Sequence, residues 1–116
     1  MSDETLDMSI VGVLQRIKKE GFFPHLVDVF EEDSKRLLDV IKSSIDSSDT
    51  KVLEESAHSL KSASSSIGAQ RVAEIASALE KLGESRSVDG AADHWEELSR
   101  RLTTSHEAFR NLLSES

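Results

Sequence analysis

Five segments of this 116-residue chain space their apolar residues by three and four, and no segment sustains an apolar-polar alternation of two. The first spacing belongs to a helix with one buried face and the second to a half-buried strand, so an all-α fold is expected. Leu6, Ile10, Val13, Leu14 and Ile17 mark a short first helix ending near Gly21. Pro24 suits the first turn of a second helix, where its missing N–H removes no intrahelical bond. Leu26, Phe30, Leu37, Ile41 and Ile45 carry that helix to about Ser47.

The polar cluster Ser47, Ser48, Asp49 and Thr50 supplies helix N-caps. Glu54 and Glu55 follow in the opening turns of a third helix, near the positive end of its dipole, and Gly68 offers its stop. Val72, Ile75, Ala76, Leu79 and Leu82 form a fourth stripe ending at Gly83. Residues 84–90 read as a polar loop, and Ala91, Trp95, Leu98, Leu102, Phe109, Leu112 and Leu113 form the last stripe. Short connections between long helices favour antiparallel neighbours. The expected architecture is an up-and-down antiparallel four-helix bundle with a short additional N-terminal helix as a lid. Residues 1–116 are read as one domain, with the bundle over about residues 22–115 and the lid over about residues 5–20.

Composition narrows the function. There is no cysteine, which removes disulfides, thiolate zinc sites and thiol catalysis together. A formal charge of −8 gives a field that repels phosphate backbones and anionic headgroups, so neither nucleic acid nor a membrane surface is an expected partner. No apolar run approaches the roughly 18 to 20 residues that span a bilayer, and the opening MSDETLDMSI lacks a basic region followed by an apolar stretch. A cytoplasmic location is expected.

The stretch AHSLKSASSSIGA, residues 57–69, carries five serines around one histidine and one lysine. Serine competes for nearby backbone hydrogen bonds and is a mediocre helix former, so a disordered linker is one reading. A linker has no reason to keep Leu53, Leu60 and Ile67 seven residues apart. On a helix, at about 100° per residue from His58, Val52, Leu53, Ser56, Ala57, Leu60, Ala63, Ser64 and Ile67 fall between roughly 120° and 260° and face the core. Lys51, Glu54, Glu55, Lys61, Ser62 and Ser65 lie within about 60° of His58. The small core-facing serines allow close helix packing; Ser62 and Ser65 leave a low surface beside the imidazole.

A histidine on a solvated face is most simply a surface residue. An unperturbed imidazole titrates near about 6.5, however, so at neutral pH it is a nucleophile able to accept and release a phosphoryl group. Lys61, one turn on, would place a cation near a phosphoryl oxygen, with Ser62 and Ser65 as small donors.

The run His58-Ser-Leu-Lys61-Ser62, with Gly68 at the tenth position after the histidine, resembles the histidine-containing phosphotransfer (HPt) domains of multistep two-component phosphorelays, of the free-standing type. Gln70-Arg71-Val72-Ala73 and Leu79-Glu80-Lys81-Leu82-Gly83 are similar to the family's next helix. The resemblance implies a bundle with an exposed phosphoacceptor, His58, midway along one helix. It implies phosphate-side electrostatics for Lys61 and close approach of the partner at Ser62, where many members carry glycine and a hydroxymethyl group would tune partner preference. Glu80 lies where some members have a polar residue that bonds the imidazole's other nitrogen.

The implied chemistry is a shuttle: His58 takes a phosphoryl group from an aspartate on the receiver domain of a hybrid sensor histidine kinase and yields it to the receiver domain of a response regulator. The chain is then a phosphotransfer intermediate rather than an enzyme. No Gly-rich phosphate loop is visible, so no ATP-dependent kinase activity is expected. It needs no cofactor of its own, because the Mg²⁺ belongs to the receiver partner. One bundle with one acceptor, and no second long heptad seam, implies a monomer.

Other readings use the same residues. A non-catalytic adaptor that regulates a kinase or response regulator by binding alone would keep the shape without turnover. A di-metal bundle would use the Glu55-x-x-His58 pair, but neither His94 nor His106 has a glutamate three residues before it, and His25 follows Phe22. A serine hydrolase needs a nucleophile on a strained turn, not on a regular helix. His94 and His106 read as surface residues. Docking residues are expected from the pool Ile10, Val13, Ile17, Phe22, Phe23 and Leu26, some of which must be core.

Overall fold

In a computed structural model, which describes residues 5–115, the chain forms five helices and, among those residues, no strand. They are α1 (Met8–Gln15), α2 (Phe22–Asp46), α3 (Thr50–Ile67), α4 (Gln70–Glu84) and α5 (Ala91–Ser114). Residues 1–4 and 116, which the single-domain reading includes, lie outside the described residues. Each long helix packs against two neighbours, in the ring α2, α3, α4, α5, and α1 rests on α3. Short connections make successive helices antiparallel, as the periodicity implied.

The local signals explain the boundaries. Asp49 caps α3, its carboxylate accepting from the Val52 N–H at 3.1 Å. Gly68 ends α3 in the left-handed region at φ +87°, which a side chain would strain. Its carbonyl accepts from the Asp7 N–H at 2.7 Å, and a Cβ there would stand 3.0 Å from Val11 Cγ2. The turn that stops α3 is therefore also the seat of α1.

The core is one layer of side chains between the four long helices. Val27, Ile41, Leu53, Leu60, Val72, Leu79, Leu98 and Phe109 have no exposed surface. Complete burial of such a side chain contributes about 1.5–3 kcal/mol. Phe109 meets Phe23 and Phe30 edge-on, with ring centroids 6.2 and 6.0 Å apart. On α3 the expected inner arc is observed: Leu53, Ser56, Ala57, Leu60, Ser64 and Ile67 are buried, with Val52 and Ala63 half-buried at its edges.

Two readings need correction. The first helix ends at Gln15, not near Gly21, and its buried residue is Val11 rather than Val13 or Ile17, which are 56% and 43% exposed. So short a helix touches the bundle along one edge only, which buries Val11, half-buries Ile10 and Leu14 and leaves Met8 and Val13 in water. Gly83 does not end α4 either; the helix continues to Glu84. A Cβ on Gly83 would stand 2.6 Å from the Glu54 backbone nitrogen and 2.8 Å from the Thr50 carbonyl oxygen. Glycine is required there because α3 and α4 touch backbone to backbone.

Candidate functional site

His58 lies on the outer face of α3, one turn beyond Glu54, and Glu80 lies on α4, one turn before Gly83. The antiparallel crossing that seats Gly83 against Glu54 therefore brings Glu80 to His58. Glu80 Oε2 is 2.7 Å from His58 Nδ1, and Glu80 Oε1 is 2.5 Å from Lys61 Nζ. One carboxylate thus holds both the histidine and the lysine of the α3 motif. The His58 side chain is 59% exposed and that of Glu80 only 11%.

Lys61, by donating a hydrogen bond to Glu80, is the chief cause holding that carboxyl below the ordinary glutamate range. Burial opposes it, and the bond from His58 adds to the lowering. Glu80 is thus an anion at neutral pH. A carboxylate only accepts hydrogen bonds, so the proton shared at 2.7 Å is the imidazole's Nδ1–H. In the neutral ring the lone pair is then on Nε2, the nitrogen away from Glu80, and among the described residues nothing bonds it.

Ser62 and Ser65 are both exposed on the His58 face, and neither hydroxyl bonds the imidazole. Gly68 is not at the site: it lies ten residues on, about 15 Å along the helix axis, where it serves the α3 turn and α1. Glu55, the alternative carboxylate partner for His58, instead approaches Lys51 at 3.7 Å. The ion pair between Lys61 and Glu80 was not anticipated. Its signal was a carboxylate in helical register with the buried small residues Ala76 and Gly83, that is, a charge on an inward face.

His106 is corrected from a surface residue to a packed one. It is half-buried between α5 and α2, its Nε2 lies 3.1 Å from Ser34 Oγ, and its ring stands edge-on to Phe30 at 5.9 Å. Burial is the main cause that pushes its pKa below the usual histidine value.

A family model for the Hpt domain matches residues 25–113. The chain belongs to the Hpt domain family. Membership carries a histidine phosphotransfer role in a phosphorelay. Among solved structures, the Hpt chain is similar to histidine-containing phosphotransfer protein B (HptB) from Pseudomonas aeruginosa PAO1, at 25% identity over 99% of each chain with a TM-score of 0.92. It shares its fold with a putative histidine-containing phosphotransfer protein from rice, at 24% identity over 98% of this chain and 85% of that one, with a TM-score of 0.84. No curated protein matches the sequence significantly. Among the described residues, no helix of this Hpt domain is long and apolar enough to cross a membrane.

Proposed function

We propose that His58 Nε2 is the phosphoacceptor, taking a phosphoryl group from the phosphoaspartate of one receiver domain and yielding it to the aspartate of another. The donor fits the receiver domain of a hybrid sensor histidine kinase and the acceptor that of a response regulator. The observation that carries this reading is the 2.7 Å bond from Nδ1 to Glu80 on a side chain 59% exposed, which leaves a nucleophilic nitrogen in reach of a partner. Lys61 supplies a cation for the incoming phosphoryl oxygens, and Ser62 and Ser65 keep the approach low. Mg²⁺ enters with the receiver, and the bundle acts as a monomer.

The docking face on this reading extends from His58 towards the first two helices. Phe23 is core, 8% exposed, and is removed from the docking pool. Val13 and Ile17 remain exposed, Ile10, Phe22 and Leu26 are half-buried, and Val29, outside the expected pool, joins them at 40% exposed. Leu26 and Val29 line a cleft of about 160 Å³ against Ala63 and Ser66 of α3.

Incubation with a phosphorylated receiver should place an acid-labile, base-stable label on the wild-type protein and none on His58→Gln. Label on that variant would move the phosphoacceptor away from His58, and a wild type that binds receivers but takes label from none would replace this reading with the adaptor one.

A further inference from the structure

Each helix from α2 to α5 pairs at least one cation with a carboxylate, as Lys42 with Asp46, Lys51 with Glu55, Arg71 with Glu74 and Arg100 with Glu97. Arg16, Lys18 and Lys19, in the segment between α1 and α2, are exposed and have no such partner among the described residues. Glu20 is the one acid in that segment, so it is a positive island on a chain of net charge −8. Among the described residues, the large apolar side chains most open to water are Met8, Val13, Ile17 and Val29. Val13 and Ile17 are four residues apart, and the Ile17 N–H still donates to the Leu14 carbonyl at 3.3 Å, so the two share one edge beside the cations.

That edge adjoins the path to His58. α1 sits on Gly68, and Gly68 follows Ile67, which lines the cleft of Leu26 and Val29 against α3. Gly68 is about 15 Å from His58 along the helix axis, whereas a stable interface covers about 800 Å² of each partner, roughly 30 Å across. A partner that reaches His58 over this cleft therefore also meets the cations. Around His58 itself carboxylates outnumber cations, Glu54, Glu55 and Glu80 against Lys51 and Lys61. A receiver that brings Mg²⁺ holds it with carboxylates, so the two reaction centres do not attract each other at long range. We propose that Arg16, Lys18 and Lys19 are the specificity-determining rim of the docking face, selecting receiver domains that carry carboxylates where they meet it. This rests on the reading that the partner is a receiver. Rim charges act mainly on the rate of encounter, because attraction over a Debye length of about 8–10 Å orients the partner before the apolar edge is covered.

The test removes two cations in each of two places. Lys18→Gln/Lys19→Gln and Lys42→Gln/Arg100→Gln each take two positive charges from a chain at −8, but the second pair lies near the other end of α2 and on α5. Association with the unphosphorylated receiver domain that labels the wild type is followed by stopped flow, and circular dichroism reports folding. In about 0.05 M salt the first variant should associate about tenfold more slowly than the wild type, and the second within about twofold of it. In about 1 M salt, where the Debye length is about 3 Å, all three should agree within about twofold. With saturating phosphorylated receiver, transfer by the first variant should fall far less than its association rate. Equal slowing of both variants would assign the effect to net charge and overturn the proposal, as would no slowing, or a faster association, which marks a basic partner. It is also overturned if the wild type binds vesicles of equal phosphatidylglycerol and phosphatidylcholine at physiological salt, which gives the cluster to a lipid surface. A wild-type dimer that Ile17→Ser dissolves overturns it by giving the edge to a second copy. A wild type that binds receivers through these lysines yet takes label from none overturns only the phosphotransfer reading, so the two failures are distinguishable.

Discussion

His58 and His106 are two histidines of one bundle, each beside a carboxylate and a cation, and they are suited to opposite tasks. His58 has Glu80 and Lys61; His106 has Glu31, which is ion-paired with Arg110, and Arg110 also reaches Asp28 at 2.8 Å. The neighbours are therefore alike in kind. What differs is which nitrogen is engaged and how far water reaches the ring. At His58 the bonded atom is Nδ1 and the free one is Nε2, on an exposed face. At His106 Nε2 itself is bonded to Ser34 and the ring is packed edge-on against Phe30, so the atom a partner would need is occupied. A histidine with charged neighbours thus presents an open ring nitrogen to solvent in one place and is a packing element in the other, and on the proposed function that access is what separates an acceptor from a structural residue.

The largest test of this contrast is at Gly83, because the His58 arrangement depends on backbone contact between α3 and α4 and the His106 arrangement does not. A methyl group at Gly83 meets backbone atoms at 2.6 and 2.8 Å, which no rotamer change relieves. Replacing glycine by alanine in a helix gains up to about 1 kcal/mol, but overpacking against backbone costs about 1–3 kcal/mol or more. Gly83→Ala should lose about 1–2 kcal/mol net in urea denaturation and slow phosphotransfer, as Glu80 moves away from His58. Unchanged stability together with unchanged transfer would show that the close approach does not set the site.

Lys61→Ala should have the next largest effect, on rate rather than on fold. Lys61 is 34% exposed at its side chain, so its ion pair with Glu80 contributes under about 1 kcal/mol to stability. Loss of one charge-assisted contact to the phosphoryl group should slow transfer about tenfold, measured with a labelled receiver. Helical circular dichroism should be retained; its loss would mean that Lys61 serves the bundle and not the site.

Much of this was legible in the sequence because helical periodicity is local. The inner arc of α3, the capping by Asp49 and the stop at Gly68 each follow from residues within a few positions of one another. The edge that α1 presents was not legible, since Val11, Val13 and Leu14 are equally apolar and only the seat at Gly68 selects Val11. The His58 face could be drawn from α3 alone, but the pairing of Lys61 with Glu80 needed the rotation of α4 about its axis. That rotation is set by Gly83, which reads in sequence as a helix stop. His106 was misread for the same reason: Ser34, its partner, is 72 residues away and looks like one more serine on a polar helix.

The smallest expected effect belongs to His106, and it shows whether the second histidine is structural. Its pKa is depressed in the folded protein, chiefly by burial. Lys35 and Arg110 add to the depression and Glu31 opposes it, while Glu107 also lines the groove. Between the folded and unfolded values the unfolded chain binds the extra proton, so stability rises with pH there. The contribution is complete above the unfolded value, about 6.5, and is lost as pH falls from there to the folded value. His106→Gln cannot titrate and keeps a polar end for Ser34, so its urea midpoint should vary less than that of the wild type over this window, with equal m-values. The variant should also take up phosphoryl label at the wild-type rate. Equal pH slopes would remove the burial argument for His106, and a slower uptake would mean that the two histidines are coupled through the bundle rather than separated by it.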